Sequence, residues 1–306
     1  MKEFVDALKQ AVGGQDVLCQ EQMKEHTTFR VGGPAEYYVS VTKKEQLQKG
    51  ILCCREYQVP YVVLGNGSNV LVSDAGISGV VFQMSAQFSA LSYEEKQEQV
   101  YVTAEAGALL GRIGQAVYQE GLTGFEWAAG IPGTIGGAVY MNAGAYGGEM
   151  KDIVTSVTIL DKDLTYKTLT VQELALGYRQ SVLMKEEAYV VSVTFALQKG
   201  DKAAIKARME ELMHKRLEKQ PLNYPSAGST FKRPEGYFAG KLIEDAGLRG
   251  FRVGGAQVSE KHCGFVINEK NATAKDIYDL TNEVRDIVED KSGVTLEREI
   301  RLLGEF

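Results

Sequence analysis

Residues 61–72 read YVVLGNGSNVLV, with two apolar runs on either side of a turn built from glycine, asparagine and serine. The apolar runs at 61–64 and 70–72 predict two short buried strands. The residues between them, 65–69, are types that favour sharp backbone bends, so they predict a loop. Successive amides in such a loop can form an anion-binding nest, but a plain tight hairpin explains the pattern equally well.

The loop departs from the common nucleotide-binding patterns. It contains neither GxGxxG nor GxxxxGK[ST], so neither a Rossmann domain nor a P-loop is predicted. A second glycine-rich segment, AGIPGTIGGA, occupies residues 129–138. Its small residues predict either close packing of two sheets or a backbone left open to a flat or phosphorylated ligand. Because two such segments occur in one chain, we favour a bound ligand.

The pattern around the two segments predicts an α+β fold. A capping box at residues 42–45 predicts the start of a helix ahead of the first loop. Alternating apolar and polar residues at 191–197 predict a half-buried strand, and the middle of the chain is interpreted as an antiparallel sheet.

The last third of the chain is predicted to contain two amphipathic helices. The first spans 203–219, and its apolar spacing places Met213 and Leu217 on the buried face. The second spans 274–289, and Thr273 is its predicted N-cap.

The composition excludes several classes of protein. The 306 residues carry 34 basic and 40 acidic side chains, a net charge of −6, which argues against a nucleic-acid partner. No run of about 18 apolar residues occurs, so no membrane span is expected. The charged N-terminal segment lacks the apolar core of a signal peptide. Cysteines without a CxxC pair and three dispersed histidines fit a reducing cytoplasm and predict no metal site.

Three further segments carry side chains suited to an anionic substrate. Arg179, in GYRQS at 177–181, presents a fork of donors that fits a carboxylate or phosphate. Ser229, in PSAGSTFKRP at 225–234, precedes two basic residues. Judged alone, each segment is more simply explained as a surface turn. No G-x-S-x-G motif surrounds Ser229, so a serine hydrolase is not predicted.

The third of these segments is a predicted final strand at residues 299–303. Alternation along a strand places Glu299 and Arg301 on one face and Ile300 and Leu302 on the other. Two opposite charges on one face fit either a solvated edge or a cleft in which the glutamate acts as an acid.

Taken in order, these segments resemble the UDP-N-acetylenolpyruvoylglucosamine reductase family. The matching stretches are TFRVGGPA (28–35), LGNGSNVLVSD (64–74), AGIPGTIGGAVYMNAGAYGGE (129–149), GYRQS (177–181), PSAGSTFKRP (225–234), AGKLIEDAGLRG (239–250) and EREIRLLGE (297–305). Each stretch alone is weakly specific, but their order and spacing make the resemblance specific over nearly the whole chain. The chain is compact between 179 and 229 and resembles the shorter second type of the family. The loop tyrosine of the longer type is therefore not carried over.

The resemblance implies an α+β, FAD-binding fold like that of the vanillyl-alcohol oxidase flavoproteins. Two FAD-binding subdomains are expected at 1–80 and 81–202, and a substrate domain at 203–306, with the final strand returning to the active site. The resemblance implies non-covalent FAD, NADPH as co-substrate and a sugar nucleotide substrate, UDP-N-acetylglucosamine enolpyruvate. The product is UDP-N-acetylmuramate, for peptidoglycan synthesis. A cytoplasmic enzyme without nucleic-acid or membrane partners is implied, and a monomer is expected.

In the mechanism that the resemblance implies, NADPH reduces the flavin and leaves, and the substrate takes its place. Hydride from flavin N5 adds to C3 of the enolpyruvyl group, and Ser229 gives a proton to C2. Arg179 and Glu299 stabilise the enolic intermediate, for which Glu299 has to be protonated or balanced by a nearby cation. Because a serine hydroxyl is a weak acid, a positive neighbour such as Lys232, or a water relay, is expected beside it.

The residues carried over for the cofactor lie mainly in the two glycine-rich segments. They are Arg30, Gly65, Asn66, Gly67, Ser68, Asn69, Gly130, Pro132, Gly133, Thr134, Gly136, Gly137 and Ala138. The residues carried over for the substrate include the cations that its diphosphate and carboxylate require. They are Tyr146, Lys219, Lys232, Arg233, His262 and Arg301.

Two rival interpretations stay open. One is another flavin-dependent oxidase or dehydrogenase of the same fold, many of which tether the flavin through a histidine. No histidine lies in either glycine-rich segment. The other is a sugar-nucleotide sensor without activity, which the combination of Arg179, Ser229 and Glu299 disfavours.

Overall fold

The computed structural model of the chain describes residues 2–14 and 17–306, so Met1, Gln15 and Asp16 of the predicted first subdomain lie outside the described residues. The α-helices of the described part are α1 (Lys2–Val12), α2 (Lys44–Glu56), α3 (Leu110–Gln119), α4 (Ile135–Tyr140), α5 (Val171–Leu174), α6 (Lys202–Lys219), α7 (Ala239–Asp245) and α8 (Ala274–Ser292). The strands are β1 (Val17–Gln22), β2 (Pro34–Val41), β3 (Tyr61–Leu64), β4 (Val70–Val72), β5 (Ile77–Met84), β6 (Leu91–Lys96), β7 (Gln99–Glu105), β8 (Leu122–Thr123), β9 (Gly144–Ala145), β10 (Gly148–Glu149), β11 (Val154–Leu160), β12 (Tyr166–Thr170), β13 (Tyr189–Lys199), β14 (Arg252–Val253), β15 (Ala256–Val258), β16 (Val266–Asn268) and β17 (Arg301–Leu303). This mixture confirms the predicted α+β class.

The middle of the chain forms an antiparallel sheet of order β12-β11-β13-β7-β6, with β8 paired to the end of β13. Strand β13 shows the predicted alternation: Val191, Val193 and Phe195 are buried, while Ser192 and Thr194 are half-buried. Helix α4 packs against β13. The second glycine-rich segment, which leads into α4, is thereby anchored to this sheet.

The first glycine-rich loop follows a strand, as predicted. Strand β3 runs parallel to β5, with Val62 opposite Val81, in a four-stranded sheet of order β1-β2-β5-β3. Helix α2 packs closely against β5. A Cβ added at Gly50 of the helix would lie only 2.5 Å from Cε1 of Phe82 of the strand. Strand β3 pairs with β5 up to Leu64, opposite Gln83, and the first glycine-rich loop begins at the next residue.

Helix α8 and the sheet β14-β15-β16 enclose a hydrophobic core. The buried face of the helix consists of Ile277, Leu280, Val284 and Val288. The Oγ1 of Thr273 accepts a hydrogen bond from the backbone N–H of Asp276 at 3.0 Å and so caps the helix. At the other end Gly293 adopts a φ of 69°, the left-handed conformation that commonly ends a helix. The predicted N-cap at Thr273 is confirmed.

The carboxylate of Asp74 supplies a second cap to α8. Its two oxygens accept hydrogen bonds from the backbone N–H groups of Ala274 (2.8 Å) and Lys275 (2.9 Å). These amides have no partner inside the helix and carry the positive end of its dipole. We therefore expect Asp74→Ala to lower the free energy of unfolding by about 1 kcal/mol in urea titrations.

Asp279→Ala is the matched control for this variant, because it removes only an exposed ion pair with Lys275 on the same helix. Its cost should be about 0.3 kcal/mol. Equal losses in the two variants would contradict the capping role of Asp74.

The chain divides into two compact units. The first comprises Met1–Leu18, Tyr38–Asn66 and Val80–Lys215, and the second comprises Cys19–Tyr37, Gly67–Gly79 and Arg216–Phe306. The domain boundaries expected at residues 80 and 202 stay predictions. Among the residues that the structure describes, no helix is both long and apolar enough to span a membrane.

The predictions for α6 and for the last strand are wrong in detail. On α6, Met213 and Leu217 are 45% and 54% exposed, so the buried face of this helix is narrower than its apolar spacing indicates. The last strand, β17, begins at Arg301, so Glu299 precedes it, and Leu302 is not buried. Glu299 is instead held by the hydrogen bonds described below.

Candidate functional site

The two glycine-rich segments interlock within the first unit. A Cβ added at Gly65 would collide with Oγ1 of Thr134. The side-chain amide of Asn66 donates a hydrogen bond to the carbonyl of Pro132 at 2.6 Å, and Gln83 donates to the carbonyl of Gly65 at 2.9 Å. The absence of a side chain at Gly65 therefore lets the first loop touch the second.

This contact predicts a specific effect of adding one methyl group. Gly65→Ala should destabilise the protein by about 2 kcal/mol, because the new Cβ overpacks against Thr134. Thr134→Ala alone should cost about 1 kcal/mol through loss of a helix cap. In the double variant the methyl would lie 3.5 Å from Cβ of residue 134, an ordinary contact. Urea unfolding should therefore show a loss smaller than the sum, and simple additivity would contradict the contact.

Gly67 gives the first loop a bend that a residue with a side chain could not adopt without a clash. Its φ is 61°, and an added Cβ would collide with the carbonyl of His26. Its own carbonyl accepts a hydrogen bond from Thr28 at 3.1 Å. In the part of the chain that the structure describes, the backbone amides of Asn66, Gly67 and Ser68 donate no hydrogen bond. Successive amides that include a left-handed residue can form an anion-binding nest, so this loop is a candidate anion site.

The second segment is bonded more fully to its own unit. Thr134 caps α4 by accepting a hydrogen bond from the N–H of Gly137 at 3.3 Å. The first two amides of the helix, those of Ile135 and Gly136, donate to the carbonyls of Ala108 (2.8 Å) and Ala106 (3.1 Å). The carbonyl of Gly133 accepts from Leu110, Gly130 is half-buried and Ala138 is buried. The start of α4 thus has its amides occupied, and the first loop offers the unbonded donors.

Arg179 lies at the tip of a tight turn in the first unit. Gly177 and Gln180 bond each other in both directions, at 3.1 and 3.2 Å, and Arg179 between them has a φ of 53°. Its guanidinium carbon lies 5.1 Å from the ring centre of Tyr178. The turn is anchored by buried Asn142, whose side chain donates to the carbonyl of Gly177 at 2.9 Å.

Tyr146 and Arg30, like Arg179, have a left-handed backbone conformation. Tyr146 joins β9 to β10 with a φ of 52°, and Arg30, in the second unit, has a φ of 55°. Within residues 2–14 and 17–306, ten non-glycine residues have positive φ, and three of them are predicted site residues. Because such conformations cost energy and cluster at functional sites, the three turns are candidates for ligand contact.

Ser229 and Glu299 lie on neighbouring extended segments of the second unit. The residue after Ser229, Thr230, accepts a hydrogen bond at its carbonyl from the N–H of Glu299 at 2.8 Å. The other side of the serine segment pairs with residues 264–266, with Ser229 bridged to Phe265. Ser229 is exposed and Glu299 half-exposed, so both side chains are reachable by a ligand.

Asn69 ties the first glycine-rich loop to the Glu299 segment. Its side-chain amide donates to the carbonyl of Glu299 at 3.1 Å, and its own carbonyl accepts from the N–H of Arg301 at 3.0 Å. Strand β17 then pairs with β4, which follows the loop directly. The sequence assigns Asn69 to the cofactor alone, whereas the structure shows it supporting the segment of a predicted catalytic residue.

The predicted substrate cations lie mainly in the second unit. The ammonium group of Lys232 pairs with Glu297. Nδ1 of His262 accepts a hydrogen bond from the N–H of Gly264 at 3.1 Å. Burial, with the nearby charges of Arg249 and Lys219, lowers the pKa of His262. A lowered pKa favours the uncharged ring, and the hydrogen bond accepted by Nδ1 leaves the ring proton on Nε2.

An aromatic pair beside Arg233 was missed in the sequence. The Arg233 guanidinium carbon lies 4.0 Å from the ring centre of Phe238, and its Nε donates to the carbonyl of Tyr237. Phe238 and Tyr237 are 60% and 48% exposed. Two adjacent aromatics after a proline and a glycine, PEGYF at 234–238, are the sequence signal that was available.

The three predicted catalytic residues are thus distributed over both units. Arg179 belongs to the first unit, whereas Ser229 and Glu299 belong to the second, where one backbone hydrogen bond links their segments.

Known protein families match both parts of the chain. A model of an FAD binding domain matches residues 35–170, and a model of the C-terminal domain of UDP-N-acetylenolpyruvoylglucosamine reductase matches residues 220–303. The chain is 53% identical to UDP-N-acetylenolpyruvoylglucosamine reductase of Lachnoclostridium phytofermentans over 99% of this chain and 97% of that protein.

Solved structures show the same similarity. UDP-N-acetylenolpyruvylglucosamine reductase from Thermus caldophilus matches with a TM-score of 0.78 and 36% identity, over 94% of this chain and 98% of that one. A VAO-type flavoprotein from Myceliophthora thermophila C1 matches with a TM-score of 0.50 and 12% identity, over 65% of this chain and 47% of that one, and shares the fold alone. The FAD-binding fold predicted from the sequence is confirmed.

Proposed function

The chain belongs to the UDP-N-acetylenolpyruvoylglucosamine reductase family, and from this premise we propose roles for its individual residues. It is an FAD-dependent oxidoreductase that reduces UDP-N-acetylglucosamine enolpyruvate in peptidoglycan synthesis, with NADPH as the reductant. When bound, FAD would supply the hydride chemistry that links NADPH to C3 of the enolpyruvyl group.

The amides of the first loop are proposed to hold the pyrophosphate of FAD. The observation that supports this role is the run of unbonded amides at Asn66, Gly67 and Ser68 in the described residues, beside a position that admits only glycine. The second segment, 130–138, is proposed to lie along the cofactor, because Gly65 and Thr134 bring it against the first loop. Arg30 is proposed to lie near the flavin.

Arg179 and Glu299 are proposed to stabilise negative charge on the substrate's carboxylate and C2. An arginine holds a carboxylate through two parallel hydrogen bonds. The strained backbone at Arg179 supports this role, because the turn keeps the guanidinium at its tip despite the cost.

Ser229 is proposed to donate the proton that C2 receives. Its exposure and the hydrogen bond between Thr230 and Glu299 support this role, since they place the hydroxyl on the segment next to Glu299. Because Lys232 pairs with Glu297, we favour a water relay over Lys232 for returning a proton to the serine.

The substrate's diphosphate is proposed to contact Lys219, Arg233, Arg301 and the Nε2–H group of His262, with Tyr146 contacting the substrate from its turn. Cations offset the doubly anionic diphosphate, and an uncharged donor adds a hydrogen bond. We further propose a cytoplasmic monomer, with subdomains at 1–80 and 81–202 for FAD and a domain at 203–306 for the substrate.

The observation that carries this proposal is the contact between the two glycine-rich segments, together with the three unbonded amides of the first segment. Absorbance spectroscopy tests the proposal. The purified protein should show a flavin spectrum that NADPH bleaches under anaerobic conditions and that UDP-N-acetylglucosamine enolpyruvate restores. Denaturation should release the flavin intact. A covalent flavin adduct would favour the rival oxidase, and NADPH oxidation independent of the enolpyruvyl substrate would favour the rival sensor.

A further inference from the structure

Asn142 lies between two turns of the first unit that carry predicted site residues. It follows helix α4 by two residues, is 0% exposed and has a φ of 45°. A buried side-chain amide costs free energy unless it is hydrogen-bonded, and a positive φ adds to that cost. The contacts of this side chain therefore show what the two costs support.

The side-chain amide of Asn142 is bonded toward both turns. Its Nδ2 donates to the carbonyl of Gly177 at 2.9 Å, in the turn that carries Arg179. The same nitrogen donates to Oε2 of Glu149 at 2.6 Å, and Oδ1 accepts from the N–H of Lys151 at 2.9 Å. Both donor hydrogens and the acceptor of the amide are used, so its orientation is fixed.

Glu149 belongs to the hairpin that carries Tyr146. Strands β9 and β10 pair Glu149 with Gly144. They are joined by Tyr146 and Gly147, whose φ values are 52° and 89°. Two successive residues with positive φ are typical of a two-residue hairpin, so this turn is tight. The hydrogen bond from Asn142 therefore holds the second strand of the hairpin, three residues after Tyr146.

The turn that carries Arg179 has a second anchor at the same end of α4. The hydroxyl of Ser181, which is 3% exposed, donates to the carbonyl of Tyr140 at 2.5 Å. Tyr140 is the last residue of α4. The two bonds hold the turn on both sides of Arg179, whereas the amide of Asn142 is bonded to the hairpin as well.

We propose that Asn142 is a positioning residue for the reaction with the enolpyruvyl substrate, and that it fixes Arg179 and Tyr146 relative to each other. The inference rests on the proposed function, in which both of these residues contact the substrate. A carboxylate in place of the amide would set an oxygen against the Gly177 carbonyl and the Glu149 carboxylate. Repulsion would then displace both turns.

Asn142→Asp tests this role, with stopped-flow absorbance of the flavin as the readout. At saturating enolpyruvyl substrate, reoxidation of the reduced flavin should slow about tenfold, because a displaced guanidinium stabilises the developing charge less well. The substrate concentration at half-maximal rate should rise about threefold, because the contact made by Tyr146 is weakened. Reduction by NADPH should stay within about twofold of the wild type, because neither turn is needed in that half.

Two double-mutant cycles distinguish positioning from a general loss of structure. In the Arg179→Gly background, Asn142→Asp should change the saturating rate by less than about twofold, because the guanidinium that it positions is absent. In the Tyr146→Ala background, it should leave the half-saturating concentration unchanged. Additive effects in either cycle would overturn the proposal.

Thr103→Val is the matched control. It removes a hydroxyl that is hydrogen-bonded to Thr194 at 2.8 Å in the same unit, on strands away from both turns. It should lower the midpoint of urea unfolding and leave both half-reactions at wild-type rates. Slowing of reoxidation alone in this variant would mean that any weakening of the unit has that effect, and the role of Asn142 would be lost.

Ser181→Ala separates the two turns, because its hydroxyl is bonded beside Arg179 and not to the hairpin. It should slow reoxidation and leave the half-saturating concentration unchanged. A raised half-saturating concentration would show that the turns are coupled by another route and would contradict the proposal. If Asn142→Asp does not fold, Asn142→Gly takes its place in both cycles, since glycine adopts the φ of 45° without steric cost.

The proposed function fails by a different result, namely wild-type protein whose reduced flavin is not reoxidised by the enolpyruvyl substrate. If the wild type is reoxidised and either cycle is additive, the function stands and only the role of Asn142 is refuted.

Discussion

Ser229→Ala should separate the two halves of the reaction. Reduction of the flavin by NADPH should stay within about twofold of the wild type, because no proton from Ser229 is needed in that half. Reoxidation by UDP-N-acetylglucosamine enolpyruvate should slow by about 10³-fold, within the range for loss of a general acid. Stopped-flow absorbance of the flavin measures each half separately, and slowing confined to one half identifies a group needed only there.

Ser226→Ala is the matched control for this experiment. It removes a hydroxyl from the same segment, three residues before Ser229. Both half-reactions should keep wild-type rates in this variant. Comparable slowing of both halves in Ser229→Ala would mean that the hydroxyl supports the local structure or the flavin, and the proton-donor role would have to be abandoned.

Arg179→Gly should raise the stability of the protein and lower its activity. A glycine adopts the φ of 53° found at this turn without the steric cost that a side chain imposes. The free energy of unfolding should therefore rise by about 1 kcal/mol. Loss of the guanidinium should slow reoxidation by the enolpyruvyl substrate by about 10²-fold, the cost of removing a donor that stabilises developing negative charge. Urea unfolding and stopped-flow absorbance measure the two effects.

Ala175→Gly is the control for the stability gained when glycine replaces a residue with a positive φ. Ala175 has a φ of 46° in the same part of the chain and ends helix α5. Its substitution should raise stability by about 1 kcal/mol and leave both half-reactions unchanged. If Arg179→Gly gained stability but kept the rate of reoxidation, the turn would be strained for a reason unrelated to this substrate.

Local sequence patterns predicted the elements that position the site. Strand β3, the loop at 65–69 and strand β4 follow from apolar runs around turn residues, and they occur where predicted. Helix α8 could be predicted in the same way, because its apolar spacing and its cap at Thr273 depend only on residues in or next to the helix. Such features depend on neighbours within a few residues, which a single sequence contains.

Features that depend on distant partners could not be predicted. One local detail also differed: α2 starts one residue later than the capping box indicated, because Gln46, rather than Glu45, accepts from the N–H of Thr42. Glu299 precedes its strand because its N–H bonds the carbonyl of Thr230. The support that Asn69 gives to Glu299 joins residues 230 positions apart. No periodicity or local turn preference reports such pairs.

The hydrogen bonds of Asn69 connect the glycine-rich loop to the Glu299 segment, so the positions of the two are coupled. If the loop is ordered by FAD, the segment beside it is ordered at the same time. The free energies of cofactor binding and of substrate binding are then linked, and the linkage is reciprocal. An apoprotein would present a looser receptor for the sugar nucleotide, and the sugar nucleotide would in turn slow the escape of FAD. Retention of the flavin through many turnovers would thus be a property of the working enzyme, strongest when its substrate is abundant.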